Sequence, residues 1–494
     1  MHRPHLPAFA CPTSPALRTA MLSSAILLSL PALSAADFYW GSDTTGDETA
    51  AATSWQDNTH WFEDAAGTIG AAGVPGANDR AIFSITSLNA TALVPRAFAD
   101  VTVGGMLFNN TTAFNLTGSG NRLLHIGSQG VTLNADAASV TFGTSAANRN
   151  ILVRFVADQT WTNNSANTLR IRNSAAASDD AAGDVVLTLN AAGSGSITNS
   201  GAFSDGSAGS LALIIDSTGT GTVSTQSGTY SGGTTIKRGV LSSGGGNIGT
   251  GAIKLGDTTG DANATLQINT TAAVTTDMVV QAGNTGVSTL EFVANNSLGG
   301  TYDGTITLDN TLNVGVRNVA GGATFNGVIS GAGDFVKGQY QGGNSGVLTF
   351  TAVNTLSGDL VINNGAFTLA DDAALTFYIG ADGVNNRVTG TSTGAVTFAG
   401  DFILDLSAAE LVQDNSWLIV DIGSLNESFA GTFTVQGFTD NGDDTWTLGD
   451  FSFSELTGAL TYTGTGVIPE PSTFALLAGL GALGATVGRR RPAL

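Results

Sequence analysis

A short alternation of apolar and polar residues, closed by a turn former and begun again, restricts the fold of this chain more than any other feature. Beyond residue 83 it recurs as Val101-Thr102-Val103-Gly104-Gly105, Val131-Thr132-Leu133-Asn134 and Val140-Thr141-Phe142-Gly143. Successive side chains of an extended chain point to opposite faces, so each run is a strand with one dry side, and the Gly, Asn, Asp or Ser that follows turns the chain. Strands this short cannot bury a core singly. They must be stacked or sandwiched in number. Apart from a weak helical candidate near Ser407 to Val412, nothing of helical period interrupts them before the C-terminus, and the architecture is read as all-β. Composition agrees: 66 of 494 residues are Gly, 10 are Pro and 12% are charged. The Val, Ile, Leu and Phe content is too high for a disordered acidic chain.

Internal similarity selects a solenoid over separate sandwiches. Tyr230-Ser231-Gly232-Gly233-Thr234-Thr235-Ile236-Lys237-Arg238-Gly239-Val240-Leu241 aligns without a gap with Leu356-Ser357-Gly358-Asp359-Leu360-Val361-Ile362-Asn363-Asn364-Gly365-Ala366-Phe367. The Ser-Gly pair, the Ile and the second Gly coincide. Each run between glycines can be one strand, with Gly232, Gly239, Gly358 and Gly365 taking the positive-φ corners that a stacked coil needs. A partner unit precedes the second copy, Phe325-Asn326-Gly327-Val328-Ile329-Ser330-Gly331-Ala332-Gly333, followed by Phe335-Val336-Lys337 and Val347-Leu348-Thr349-Phe350. This order resembles the autotransporter-associated (passenger-associated transport) β-strand repeat over about 197–260 and 320–372. That resemblance implies a right-handed parallel β-helix, and a stack at about 22 residues per coil is the expectation for its length.

The two flanks of the stack differ from it in composition. Residues 37–83 carry Phe38, Tyr39, Trp40, Trp55, Trp61 and Phe62, half of the six tryptophans of the chain. Such a segment can cap the apolar end of the first coil, or expose aromatic faces to sugar rings. The cap is the favoured reading. The solenoid then runs over 84–398. Residues 399–466, with Phe402 to Leu406, Trp417 to Val420, Thr432 to Val435 and Trp446 to Leu448, read as hairpin-like strands of a C-terminal β module.

The last segment, 467–494, has three parts in order. Pro469-Glu470-Pro471 interrupts regular structure, an uncharged apolar run follows from Phe474 to Val487, and Arg489, Arg490 and Arg491 close it. The run sits at the lower limit of the roughly 17–25 residues that a membrane-spanning helix needs, and the arginines would stay on the cytoplasmic side. The whole resembles the PEP-CTERM sorting signal of Gram-negative bacteria. The resemblance implies export, recognition by an exosortase-type protease, transient inner-membrane anchoring through the helix, and release to the envelope, cell surface or extracellular matrix.

The N-terminus supports the same route. Arg3 and Arg18, an apolar segment from Ala20 to Leu30 and small residues Ser34, Ala35 and Ala36 make residues 1–36 a secretory signal peptide, cut after Ala35 or Ala36. The single cysteine, Cys11, lies in the removed part, so the mature chain can form no disulfide and offers no thiol nucleophile. Without both ends the body keeps 13 basic and 38 acidic residues, near −25. Such a body repels nucleic-acid phosphates, and no nucleic-acid partner is expected.

Residues that could do chemistry are sparse. The mature chain has two histidines, His60 and His125, and no serine in a nucleophile-elbow context. The acidic pairs Asp179-Asp180, Asp371-Asp372 and Asp443-Asp444 read as solvated turns rather than as a carboxylate pair for glycoside chemistry. Asp43 to Asp47, Asp257 to Asp261 and Asp440 to Asp444 are oxygen-rich loops of the kind that take calcium, but none completes an EF-hand. No cofactor, no metal site and no catalytic residue is assigned. The chain is read as a non-enzymatic, exported surface or matrix protein with extracellular polysaccharide as a candidate partner. The alternative is a glycan-binding module or polysaccharide-active enzyme built on a β-helix.

Overall fold

The computed structural model describes residues 35–41, 54–85, 92–146, 148–177, 183–293, 299–317, 322–339, 343 and 345–464. They form one compact unit beginning at Ala35. Among them the single helical element is the 3-10 turn Asn58–His60. Ser407 and Ala408 form a turn instead of the candidate helix. The Asp405 carboxylate accepts the Ser407 amide at 3.0 Å, a local bond that competes with helix formation.

The strands wind into a solenoid of right-handed type with about 12 turns, the hand that strand twist favours. Pairing between coils is parallel, from Phe38 against Ala81 at one end to Leu375 against Phe402 near the other. Three faces are distinguishable by register. One carries Ile236, Leu255, Val280 and Leu308 in successive coils. A second carries Leu241, Leu266, Leu290, Val314, Lys337 and Ile362. The third carries Tyr302, Phe325, Phe350, Leu369 and Phe398. Partners on the second face are about 24 residues apart in sequence, so the coil is slightly longer than the sequence suggested.

Burial follows the alternation. Val185–Asn190, Leu211–Asp216 and Ala264–Ile268 each place every second side chain inside. Each fully buried aliphatic or aromatic side chain contributes about 1.5–3 kcal/mol, and stacking identical positions makes the core continuous. Phenylalanines carry it through much of the unit: Phe325, Phe350 and Phe367 meet edge to face at 5.8 and 5.1 Å between ring centroids.

A polar device joins the coils from outside. The Asp158 carboxylate accepts the amide of Val186 at 2.8 Å, Asp184 that of Ser210 at 3.0 Å, Asp277 that of Thr305 at 2.8 Å, and Asp359 that of Arg387 at 3.0 Å. In each case the carboxylate sits at a coil corner and the donor belongs to the next coil. The Ser210 hydroxyl and amide hold the Asp184 carboxyl below the usual carboxylate range. Much of the acidity therefore ties coil to coil.

At the C-terminal end an antiparallel sheet is ordered Ser416–Leu418, Ala459–Tyr462, Phe451–Ser454, Thr445–Leu448, Thr439–Asp440. It rests on the last coils through Phe453, whose ring centroid is 5.9 Å from that of Phe402 and 6.3 Å from that of Phe429. Asp401–Asp405 and Asn426–Phe429 still pair in parallel with the stack. Of the segments read as hairpin strands, the one at Phe402 therefore belongs to the solenoid and the one at Trp446 to the antiparallel sheet.

Candidate functional site

The aromatic N-terminal segment offers no sugar-stacking platform from its tryptophans. Trp40 and Trp55 are 1% exposed and Trp61 is fully buried. Their rings pack on one another, with Trp61 at 4.9 Å from both others, and Trp61 lies 5.9 Å from Phe83 of the adjoining coil. His60 stacks on Trp40 at 5.2 Å and lies 3.9 Å from the Asp57 carboxylate. His125 lies in register between Thr102 and Arg154.

The repeat glycines divide into two kinds. Gly239 and Gly365 take the expected left-handed corners, at φ +85° and +71°. Gly232 and Gly358 have no positive φ and are required by proximity. A Cβ on Gly358 would stand 2.3 Å from the Gly333 carbonyl oxygen, and one on Gly232 2.7 Å from that of Leu211. The two aligned copies also occupy different faces. Thr234 to Ile236 lies on the first face and Leu360–Ile362 on the second. What repeats is a strand, a glycine corner and a strand, set one face round.

Among the acidic candidates, Asp371 and Asp372 form an exposed turn. Asp443 accepts the Thr445 hydroxyl at 2.5 Å within the hairpin, and Asp444 has φ +64°. Asp257 accepts the neighbouring Thr258 amide at 2.8 Å. Asp179, Asp180 and the loop Asp43 to Asp47 lie outside the described residues. Among those described, no three His, Cys, Asp or Glu side chains are grouped to hold a metal ion.

One hollow gathers carboxylates that the sequence did not bring together. It has a volume of about 250 Å³ and is lined by Ile422, Glu427, Phe429, Asp444, Glu455 and Leu456, between the last coil and the antiparallel sheet. Trp446 donates its indole N–H to Glu455 at 2.7 Å. Burial raises the Glu455 carboxyl above its usual range, against the pull of that hydrogen bond, and Asp444 and Asp440 add like charge. The Glu427 Oε2 is buried with no hydrogen-bond partner. The signal for Glu427 was its place in Asn426–Phe429, where it pairs with inward Val396.

Pro469, Glu470, Pro471 and the Arg489 to Arg491 cluster lie outside the described residues, as do residues 1–34 of the expected signal peptide. The described chain ends at Gly464, just past the strand Ala459–Tyr462. Residues 467–491 match the PEP-CTERM protein-sorting motif. Neither the curated proteins nor the solved structures contain a match to this chain. The motif indicates an exported protein sorted by an exosortase, a membrane protease-like enzyme. The β-solenoid fits a surface protein.

Proposed function

We propose that this chain is a structural β-solenoid of the bacterial surface or extracellular matrix, delivered by a secretory signal peptide over residues 1–36 and held briefly in the inner membrane by the apolar run of its tail. An exosortase-type protease reads Pro469-Glu470-Pro471 and cuts the tail, freeing the body. The sorting motif at 467–491 carries this reading. The body is compatible with it: its parallel coils resemble those expected of the autotransporter-associated repeat, and aspartates at its corners tie coil to coil. The tryptophan cluster seals the first coil as the antiparallel sheet seals the last. Removing Pro469 to Leu494 and fractionating the cells will shift the protein from its envelope or matrix destination to the periplasm or medium. An unchanged distribution would sink the sorting role.

A second reading, a polysaccharide-active or glycan-binding protein, is favoured by the hollow holding Glu427, Asp444 and Glu455. On that reading, incubating the body with matrix polysaccharides yields shortened products, and Glu455→Gln lowers their release at least tenfold. Binding without product, unaffected by Glu455→Gln, fits the structural protein alone.

A further inference from the structure

Lys337 is the only buried lysine or arginine among the described residues, with no exposed surface. Its strand neighbours in register are Val314 and Ile362, and below Val314 the same inward position holds Leu290, Leu266 and Leu241. An amine in that aliphatic column is costly unless an acceptor meets it. The Nζ donates to the backbone carbonyl of Asn364 in the next coil. Room for it exists because residue 365 is glycine: a Cβ there would lie 2.6 Å from the Nζ and 2.2 Å from the Ser345 carbonyl oxygen. The corner is held by further bonds, the Ser345 amide to Asn364 Oδ1 at 2.6 Å and the Ser392 hydroxyl to the Gly365 carbonyl at 2.6 Å.

The three coils stacked below Lys337 on this face, those of Val314, Leu290 and Leu266, could not receive the amine in that way. Two residues beyond the shared inward position they carry Ile268, Phe292 and Val316, all buried, where the Ile362 coil has Asn364 followed by Gly365. The more distant Leu241 coil has Ser243 and Gly244 at the corresponding corner. In a stack of similar coils a slip by one turn exchanges Leu for Leu or Val, so apolar burial scarcely separates the right pairing from a wrong one. A lone ammonium does separate them. A single buried polar residue is the best-attested way to fix register in a repeated apolar seam.

We propose that Lys337 is a register pin, which admits the coil of Leu360–Ile362 as the neighbour of Phe335–Lys337 and rejects coils with the apolar corner of Ile268, Phe292 or Val316. The test is refolding of the full-length chain from denaturant, comparing wild type with Lys337→Met, and with Val314→Met as an apolar exchange in the same column. Hydrogen exchange across 335–365 reads the pairing. Wild type and Val314→Met will recover one protection pattern. Lys337→Met will melt no lower than wild type, yet will split into at least two species, with the native pattern reduced twofold or more. A Lys337→Met chain that refolds to the wild-type pattern in full yield overturns the pin. So does one that fails to fold or melts lower, because the amine would then be acting for stability and not for selection.

Discussion

Replacing Phe402 by alanine will cost about 3–5 kcal/mol, the range for a large aromatic removed from a core that cannot close over the gap. Phe402 has no exposed surface. Its ring lies 4.8 Å from that of Phe377, 5.2 Å from Phe398, 4.9 Å from Phe433 and 5.9 Å from Phe453. Those partners belong to the preceding coils, to the last parallel segment and to the antiparallel sheet, so one side chain joins the stack to its end. Each edge-to-face contact adds about 0.5–1.5 kcal/mol beyond the area it buries. Stability in a repeat array is a sum of coil and interface contributions, so the loss will stay local. Hydrogen exchange will show residues 401–462 opening well before those around Leu266 and Leu290, where wild type protects both. A loss below about 1 kcal/mol, or one spread evenly along the stack, would contradict the hub.

The same locality explains what could be read from the sequence. Period-two alternation is a direct record of which side chains face inward, so Val131 to Leu133 and Val140–Phe142 were legible as half-buried strands, and with them the all-β class. Which face a strand joins is decided by corner geometry. The glycine alignment therefore found the strand-corner-strand unit but set Ile236 beside Ile362, although register places them on different faces. The aspartate latches were illegible for another reason. A turn aspartate reads alike whether its carboxylate meets water or, as at Asp184, the amide of the next coil. The carboxylate hollow depended on Glu427 and Glu455 arriving from different sheets, which no local pattern records. Lys337 left a signal that could have been used. In Phe335-Val336-Lys337 strict alternation puts the lysine on the same side as the buried phenylalanine.

That lysine also sets the pH response of the middle of the stack. Burial pushes its amine down to about 8, from an ordinary 10.5. The strands that pair with its own, Leu312–Val316 and Leu360–Ile362, carry no ionisable side chain. At the outer corners the Asp334 carboxylate accepts the Asp359 amide, and the Asp359 carboxylate pairs with Arg387. Between pH 8 and 10.5 the unfolded chain thus holds a proton that the folded chain has released, and stability rises with pH across that window. At about 1.4 kcal/mol per unit the full rise is about 3 kcal/mol, and below pH 8 the same amount stands as the cost of an ammonium in the core. Lys337→Met removes that cost, so at pH 7 the variant will be more stable by about 1–4 kcal/mol, and the gap will narrow as pH climbs toward 10.5. Buried Tyr230 and Tyr302, both raised by desolvation, pull the other way above pH 10, but equally in both proteins. Subtracting the variant's opening free energy from that of wild type, by hydrogen exchange or denaturant at each pH, isolates the lysine. A difference that stays flat from pH 7 to 10.5 would mean that the folded chain keeps Lys337 protonated at no cost, and that its column is wetter than its burial shows.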